Sequence, residues 1–323
     1  MSTVQYPRVS IAPMMDHTDR HFRYLARLIA PDILLYSEMI TSAALVRGQR
    51  RDLLAFSGIE HPVALQLGGS DPHELATAAS YAERQGYDEV NLNVGCPSDR
   101  VRAGHFGACL MKVPSLVAEC VAHMRASVRI PVTVKTRLGV DDLDSFSFLL
   151  DFVDEVAAAG CEVFIVHARK AWLKGLSPRQ NREIPPLCYD TVYRLKAMRP
   201  HLTIGLNGGI TTAEQARAHL SQVDSVMIGR AAVTDLGLMR QLSAQFAPVD
   251  VLQWTTVLDH YLAYMELMQE QGHRLKTLIK PLMSLFHGIQ GARQWRRCLT
   301  EQSNGKYRLG QIIDSALQYV EID

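Results

Sequence analysis

The sequence predicts an α/β protein, a TIM-type (β/α)8 barrel followed by a C-terminal helical domain, and three observations carry that expectation. Short apolar, β-branched segments recur along the chain, and eight of them can be counted. Helix-patterned stretches lie between them, so successive strands pair in parallel, because each crossover has to carry a helix. The eight units repeat at about 22 to 41 residues and fill about 240 residues, the size of one closed barrel. An open doubly wound sheet is the competing arrangement.

The strand segments are, in order, "RVSIAPMMD", "ILLYSEMIT", "PVALQLGGS", "EVNLNVGCP", "PVTVKTRLG", "VFIVHARK", "LTIGLNGGI" and "SVMIGRA". The clearest helix between them is "DPHELATAASYAERQGYDE", with Asp71 as N-cap, Pro72 in the first turn and Gly86 where a left-handed C-cap is expected. The repeat ends at about residue 245, near "FAPVDVL", which gives a catalytic barrel over 1–245 and a helical domain over 246–323. In the latter, "VLDHYLAYMELMQEQG" and "TLIKPLMSLFHGI" read as helices, the second broken or kinked at Pro281. Their Met and Leu stripes read as core.

Composition narrows the function classes. With 323 residues and 47% hydrophobic content the chain can bury a full core. No apolar run approaches the roughly 18 to 20 residues of a membrane span, and "MSTVQYPRVS" lacks the regions of a secretory signal, so a cytoplasmic protein is expected. The six cysteines are scattered, without C-x-x-C pairs or histidines at ligand spacing, so neither a metal site nor a disulfide framework is expected. Cys120 and Cys161 read as small buried hydrophobes. The chain is expected to act as a monomer.

In a barrel of this kind the chemistry sits where strands end and βα loops begin. Those ends here carry Pro13, Met14, Met15 and Asp16; Glu38; Gln66; Asn93 and Cys96; Lys135 and Arg137; His167 and Arg169; Asn207, Gly208 and Gly209; and Gly229 and Arg230. A strand end has to be polar where it meets water, so each residue alone has a bland explanation; the convergence of eight ends on one face is the signal. "NGGI" and "IGRAAV" each lead into a helix start after the last two strands, where free backbone N–H groups make an anion site, although "NGG" equally suits a tight turn. A phosphate there, a lysine after the fifth strand and a glutamine after the third can surround a planar phosphorylated cofactor such as FMN. A barrel-strand lysine also suits a Schiff base, and Arg137, two residues from Lys135, depresses its pKa under either use.

Taken together, "APMMDHTD", "LQLGG", "NLNVGCPSDRV", "FGACLM", "VKTRLG", "VHARKAWLKGLSP", "NREIPPL", "NGGI" and "IGR" resemble the tRNA-dihydrouridine synthases, and the longer sixth and seventh of these motifs resemble the A subfamily. The resemblance spans essentially the whole chain. It implies an FMN-dependent barrel with a helical domain that reduces the C5–C6 bond of uridine in the tRNA D-loop, at positions 20 and 20a, with NADPH or NADH as electron donor. It assigns Pro13, Met14, Met15, Gln66, Lys135, His167, Asn207, Gly208, Gly209, Gly229 and Arg230 to FMN. Cys96 becomes the proton donor to C5 while hydride from the reduced flavin adds to C6, and an ordinary thiol, mostly protonated near neutral pH, suits an acid. Gly95 and Pro97 are expected to fix its loop. Asn93 is expected to hydrogen-bond the pyrimidine or flavin, and His167 to bridge the two. No G-x-G-x-x-G follows a strand, so no separate dinucleotide domain is expected. The stretch "DRVRAGHFGACLM" is either a lid or a fixed loop.

The formal net charge of +1 says nothing about nucleic acid, but its distribution does. From Arg169 to Arg182 there are five Lys or Arg and no acid, and from Gly272 to Thr300 there are six and no acid. Arg293, Arg296 and Arg297 share a helical face beside Trp295, and by resemblance Arg179, Arg182, Arg293 and Arg296 contact tRNA. Two other readings stand beside this one. A flavin enzyme for free pyrimidines, of the dihydroorotate dehydrogenase type, fits the barrel but leaves the helical domain and arginine clusters without a use. A catalytically idle RNA-binding protein leaves Cys96, Lys135 and His167 unexplained.

Overall fold

The structure is a computed structural model that describes residues 6–98, 101, 103–246, 250–305 and 307–322. All eight expected segments form strands: β1 (Val9–Ile11), β2 (Leu35–Thr41), β3 (Val63–Gly68), β4 (Glu89–Asn93), β5 (Val132–Arg137), β6 (Val163–His167), β7 (Thr203–Asn207) and β8 (Ser225–Ile228). They make one parallel sheet in the order β1-β8-β7-β6-β5-β4-β3-β2. Its two ends meet through a parallel bridge between Ser10 and Leu34, where Ile11 N donates to Leu34 O at 3.0 Å and Leu34 N to Val9 O at 3.1 Å. That bridge closes the barrel and excludes the open sheet.

Helices α1 (Arg20–Ile29), α2 (Ser42–Val46), α3 (Pro72–Gln85), α4 (Pro114–Ser127), α5 (Phe146–Ala158), α6 (Tyr189–Met198) and α7 (Ala213–Leu220) fill the crossovers. The caps of α3 are the expected ones: Asp71 accepts from Glu74 N at 2.9 Å, and Gly86 ends the helix at φ 101°. A strand with both faces buried needs an apolar side against the helices, which Leu65, Val90, Leu92, Val134 and Phe164 supply. Inside the barrel a smaller apolar cluster of Ala12, Tyr36, Ala64, Ile165 and Met227 is buried among polar side chains that project from the same strand faces.

After α8 (Arg230–Thr234) and α9 (Leu236–Phe246) come α10 (Trp254–Glu270), α11 (Leu275–Ile279), α12 (Ala292–Gln302) and α13 (Leu309–Leu317). The expected boundary at 245/246 adjoins residues 247–249, which lie outside the described residues. The break expected at Pro281 is a change from α-helix to a 3-10 segment at Lys280–Ser284, because proline has no N–H to continue the ladder. The Met and Leu stripes are core: Leu258, Met265 and Met268 of α10 are buried in the same apolar cluster as Leu25 and Ile29 of α1. Helix α13 is not among the elements expected from the sequence. Cys120 and Cys161 are buried, as small hydrophobes would be.

The helical region docks on α1. His21 Nδ1 and the Tyr264 hydroxyl share a hydrogen bond of 2.7 Å, and Tyr24 stacks on Tyr264 with ring centroids 3.7 Å apart. Burial, helped by His273, lowers the His21 pKa to about 3, so its imidazole is neutral in this contact. On the other side of α1, Arg23 Nε donates to Glu60 Oε2 at 2.7 Å with both side chains out of solvent. Removing one member of such a pair strands the other charge in a medium that cannot solvate it. Glu60→Gln is therefore expected to cost about 3 to 5 kcal/mol of unfolding free energy in urea titrations; a loss below about 1 kcal/mol, the size of a surface pair, would contradict this.

Candidate active site at the barrel mouth

Because side chains alternate across a strand, Glu89, Asn91 and Asn93 of β4 and Thr133, Lys135 and Arg137 of β5 all project to one face. Register then sets neighbours: Gln66 lies opposite Asn91, Asn93 opposite Lys135, Arg137 opposite His167, and His167 opposite Asn207. Gln66, Asn93, Lys135, His167 and Asn207 thus meet at the carboxyl end of the strands. Lys135 Nζ donates to Asn207 Oδ1 at 3.2 Å, and Asn207 Nδ2 donates to Met227 O at 2.7 Å.

Cys96 follows β4 by three residues, and its backbone is held from several sides. Asn93 Oδ1 accepts from Gly95 N at 3.0 Å and Cys96 N at 2.9 Å; Arg137 Nε donates to Gly95 O at 2.8 Å; Ala108 N donates to Cys96 O at 2.9 Å. These contacts, two of them made by the Gly95 backbone, hold the loop. The sulfur itself is half-buried, and Ser98 Oγ lies 3.5 Å from it. Of the stretch after Cys96, residues 99, 100 and 102 lie outside the described residues; its return forms a 3-10 segment, Gly107–Lys112, tied to Cys96 through Ala108.

The mouth is cationic. Burial, with Arg137 and Arg182 beside it, pulls the Lys135 pKa down to about 7, and the effect of Arg137 expected from the sequence is among the causes. Burial next to Arg137 and Lys135 drives the His167 pKa far below the ordinary imidazole value, so the ring is neutral. Its nitrogens have no hydrogen-bond partner among the described residues.

At the ends of β7 and β8, Gly208 and Gly209 adopt φ of 118° and 73°. A Cβ on Gly208 would come within 2.6 Å of His167 Cδ2, so only glycine leaves the ring its place. The N–H groups of Gly208, Gly209 and Gly229 donate to no group among the described residues, and a Cβ on Gly229 would meet nothing within 4 Å. Unpaired N–H donors, open space beside Gly229, the half-buried Lys135 amine and an unpartnered imidazole fit an anionic flavin such as FMN. Pro13 and Met14 are half-buried at the end of β1, and Met15 is 51% exposed. Gln66 has both amide ends engaged, donating to Asn91 Oδ1 at 2.8 Å and accepting from Asn93 Nδ2 at 2.9 Å.

Arg230 has a partner that the sequence did not point to: Glu183 Oε1 lies 2.6 Å from its Nη1 and 3.5 Å from Arg179 Nε. Asn181 is a second such residue; it is fully buried, its carbonyl accepts from Arg137 Nη1 at 2.9 Å, and its side chain holds Trp172 N at 2.8 Å. Nothing in the sequence beyond the motif "NREIPPL" marks either. The first basic cluster is not uniformly available, since Lys170 pairs with Asp144 at 2.7 Å and Arg169 donates to the carbonyls of Glu183 and Pro185. Arg179 and Arg182 are exposed. On α12, Arg293 is exposed and Arg296 half-buried, neither with an ion-pair partner among the described residues, whereas Arg297 pairs with Glu301 at 2.7 Å. Trp295 does not share the basic face: it is fully buried and donates to Leu282 O at 3.0 Å. Lys280 donates to the Asp16 carbonyl, and both Lys280 and Arg182 help to depress the His17 pKa, after burial, so the two clusters approach each other at that loop.

A family profile described as "Dihydrouridine synthase (Dus)" matches residues 10–319. The chain belongs to the dihydrouridine synthase family. Its curated relatives in the family include the tRNA-dihydrouridine(20/20a) synthase of Shewanella oneidensis, 52% identical over 316 residues, covering 97% of this chain and 94% of that one. The protein of the same name from Escherichia coli K12 is 52% identical over 97% of this chain and 91% of its own, and that of Vibrio cholerae 50% identical over 96% and 95%. Among solved structures, a 2-naphthoyl-CoA reductase complex superposes with a TM-score of 0.55 at 10% identity, covering 76% of this chain and 51% of that one, a likeness of fold alone. Among the described residues of this family member, no helix is long and apolar enough to cross a membrane, and no group of three or more His, Cys, Asp or Glu is placed to hold a metal ion.

Lys135 offers a test of the site's electrostatics. Its folded pKa of about 7 lies below the unfolded value of 10.5, so the unfolded chain binds more protons between those values. Stability of the ligand-free protein should therefore rise with pH above 7, by at most about 1.4 kcal/mol per unit from this group. Lys135→Met should remove that component; identical stability–pH curves for the two proteins between pH 6 and 9 would contradict the assignment.

Proposed function

We propose that the chain reduces uridine to 5,6-dihydrouridine at positions 20 and 20a of the tRNA D-loop, with FMN as bound cofactor and NADPH or NADH as electron donor. The observation that carries this reading is the convergence of Cys96, Asn93, Lys135 and His167 at the mouth of a barrel whose sequence belongs to the dihydrouridine synthases. Bound FMN supplies the hydride that adds to C6 of the uracil. The chain's residues do the rest. Gly208, Gly209 and Gly229 offer backbone N–H donors, and Arg230 a guanidinium, to the phosphate, with Asn207 behind them. Pro13, Met14, Met15 and Gln66 line the ring. An anionic group beside Lys135 favours its ammonium form and raises its pKa again. His167, neutral, can donate through one nitrogen and accept through the other. Asn93 orients the base, and Cys96 holds the proton destined for C5, with its loop fixed and its sulfur free to reach the substrate.

Residues 1–245 form the catalytic unit, and 246–323 help to hold RNA in a cytoplasmic, monomeric enzyme. Arg179 and Arg182 on the mouth loop and Arg293 and Arg296 on α12 supply phosphate contacts. A free-pyrimidine oxidoreductase would need neither set, and an idle RNA-binding barrel would need no thiol at the mouth.

Cys96→Ala should leave FMN content and its reduction by NADPH intact while slowing uridine reduction by about 10² to 10⁴-fold. Single-turnover oxidation of the reduced enzyme by tRNA measures this, and wild-type rates in the variant would overturn the role. Replacing Arg293 and Arg296 together by Ala should weaken tRNA binding and lower the slope of log affinity against log salt by about 0.7 to 0.9 for each phosphate no longer neutralised, while flavin stays bound. An unchanged affinity and slope would leave this pair as a solvated face.

A further inference from the structure

Inside the barrel, beneath the mouth, five side chains form a continuous line of hydrogen bonds that all run in one direction. Asn93 Oδ1 accepts the N–H of Cys96 at 2.9 Å, and Asn93 Nδ2 donates to Gln66 Oε1 at 2.9 Å. Gln66 Nε2 donates to Asn91 Oδ1 at 2.8 Å, Asn91 Nδ2 to Thr133 Oγ1 at 2.8 Å, and the Thr133 hydroxyl to Glu89 Oε1 at 2.6 Å. Every member is 8% exposed or less. The direction follows from chemistry at both ends. Backbone N–H groups can only donate, so the Asn93 oxygen has to face Cys96, and each following amide is then forced to turn its NH2 away from the mouth. The line has to end on a group that accepts, and Glu89 Oε1 does so, accepting from the Tyr36 hydroxyl as well at 2.6 Å.

We infer that Glu89, acting through Thr133, is a positioning residue that reinforces from below the orientation of the Gln66 and Asn93 amides and thereby steadies the Cys96 loop. Without an acceptor at the foot, only the N–H groups of Gly95 and Cys96 still oppose a half-turn of these amides, and a turned Asn93 sets its NH2 against those same groups, pushing the loop away. The inference rests on the reading of Cys96 as proton donor for its effect on turnover, but not for its effect on the loop.

The test pairs disruptive and conservative changes in the full-length protein. Thr133→Val keeps the shape and removes the link, and Thr133→Ser restores it; Glu89→Leu removes the terminal acceptor, and Glu89→Gln retains one. Alkylation of Cys96 by iodoacetamide is followed peptide by peptide, with the exposed Cys188 as internal reference. Thr133→Val and Glu89→Leu should change the Cys96 rate relative to Cys188 by threefold or more and lower kcat for tRNA tenfold or more, with KM within twofold. The Ser and Gln variants should stay within twofold of wild type in both. An unchanged Cys96 rate in Thr133→Val, or equal losses in the Val and Ser variants, would overturn the inference. If the alkylation pattern holds in a protein that reduces no uridine, the positioning stands and the proposed reaction falls.

Discussion

Closing eight parallel strands turns every second side chain of each into a space that water does not fill, and the rest of this structure depends on how that space is occupied. Ala64, Ile165 and Met227 fill part of it with apolar volume. Among them β4 and β5 place Glu89, Asn91, Asn93 and Thr133, groups whose burial is costly unless each finds a partner. They find one another, and the bonds that satisfy them also aim the mouth: Asn93 cannot release the Cys96 loop without leaving its own oxygen unpaired. On the proposed function, packing and catalysis use the same contacts.

The mouth itself concentrates positive charge. Lys135, Arg137, Arg182 and Arg230 lie close enough to bear on one another's ionisation directly or through a shared neighbour. In the protein alone this is unfavourable, and burial adds to the cost, which is why Lys135 leans towards neutrality. An anion relieves it. Glu183, exposed and paired with both Arg230 and Arg179, supplies part of that relief from within the chain. A site that is strained by its own cations is well matched to a phosphorylated ligand and a polyanionic substrate.

The helical region continues the barrel's outer core, with the apolar faces of α10, α12 and α13 buried together with that of α1. One consequence is directional: burying Trp295, Cys298 and Leu299 of α12 leaves Arg293 and Arg296 on its outer side. Lys280, carried to the Asp16 carbonyl by the 3-10 segment, brings positive charge from this region to the barrel mouth.

The sequence by itself determined the eight strands, the parallel connections, the caps of α3 and the strand ends that carry Cys96, Lys135 and His167, because two-residue and helical periodicities and turn residues are local properties. It also marked the arginines of α12, though not which of them pair. What only the tertiary structure decided depends on distant residues. The Ser10–Leu34 bridge chose a closed barrel over an open sheet. Register alone joined Gln66, Asn91, Thr133 and Glu89 into one line, since no local pattern distinguishes a polar residue inside a barrel from one at its rim. Glu183 and Asn181, on a loop with no periodicity, acquired their roles only when folding brought Arg230 and Arg137 to them. Spacing shows where a side chain points; which groups it meets is set by the closure of the barrel.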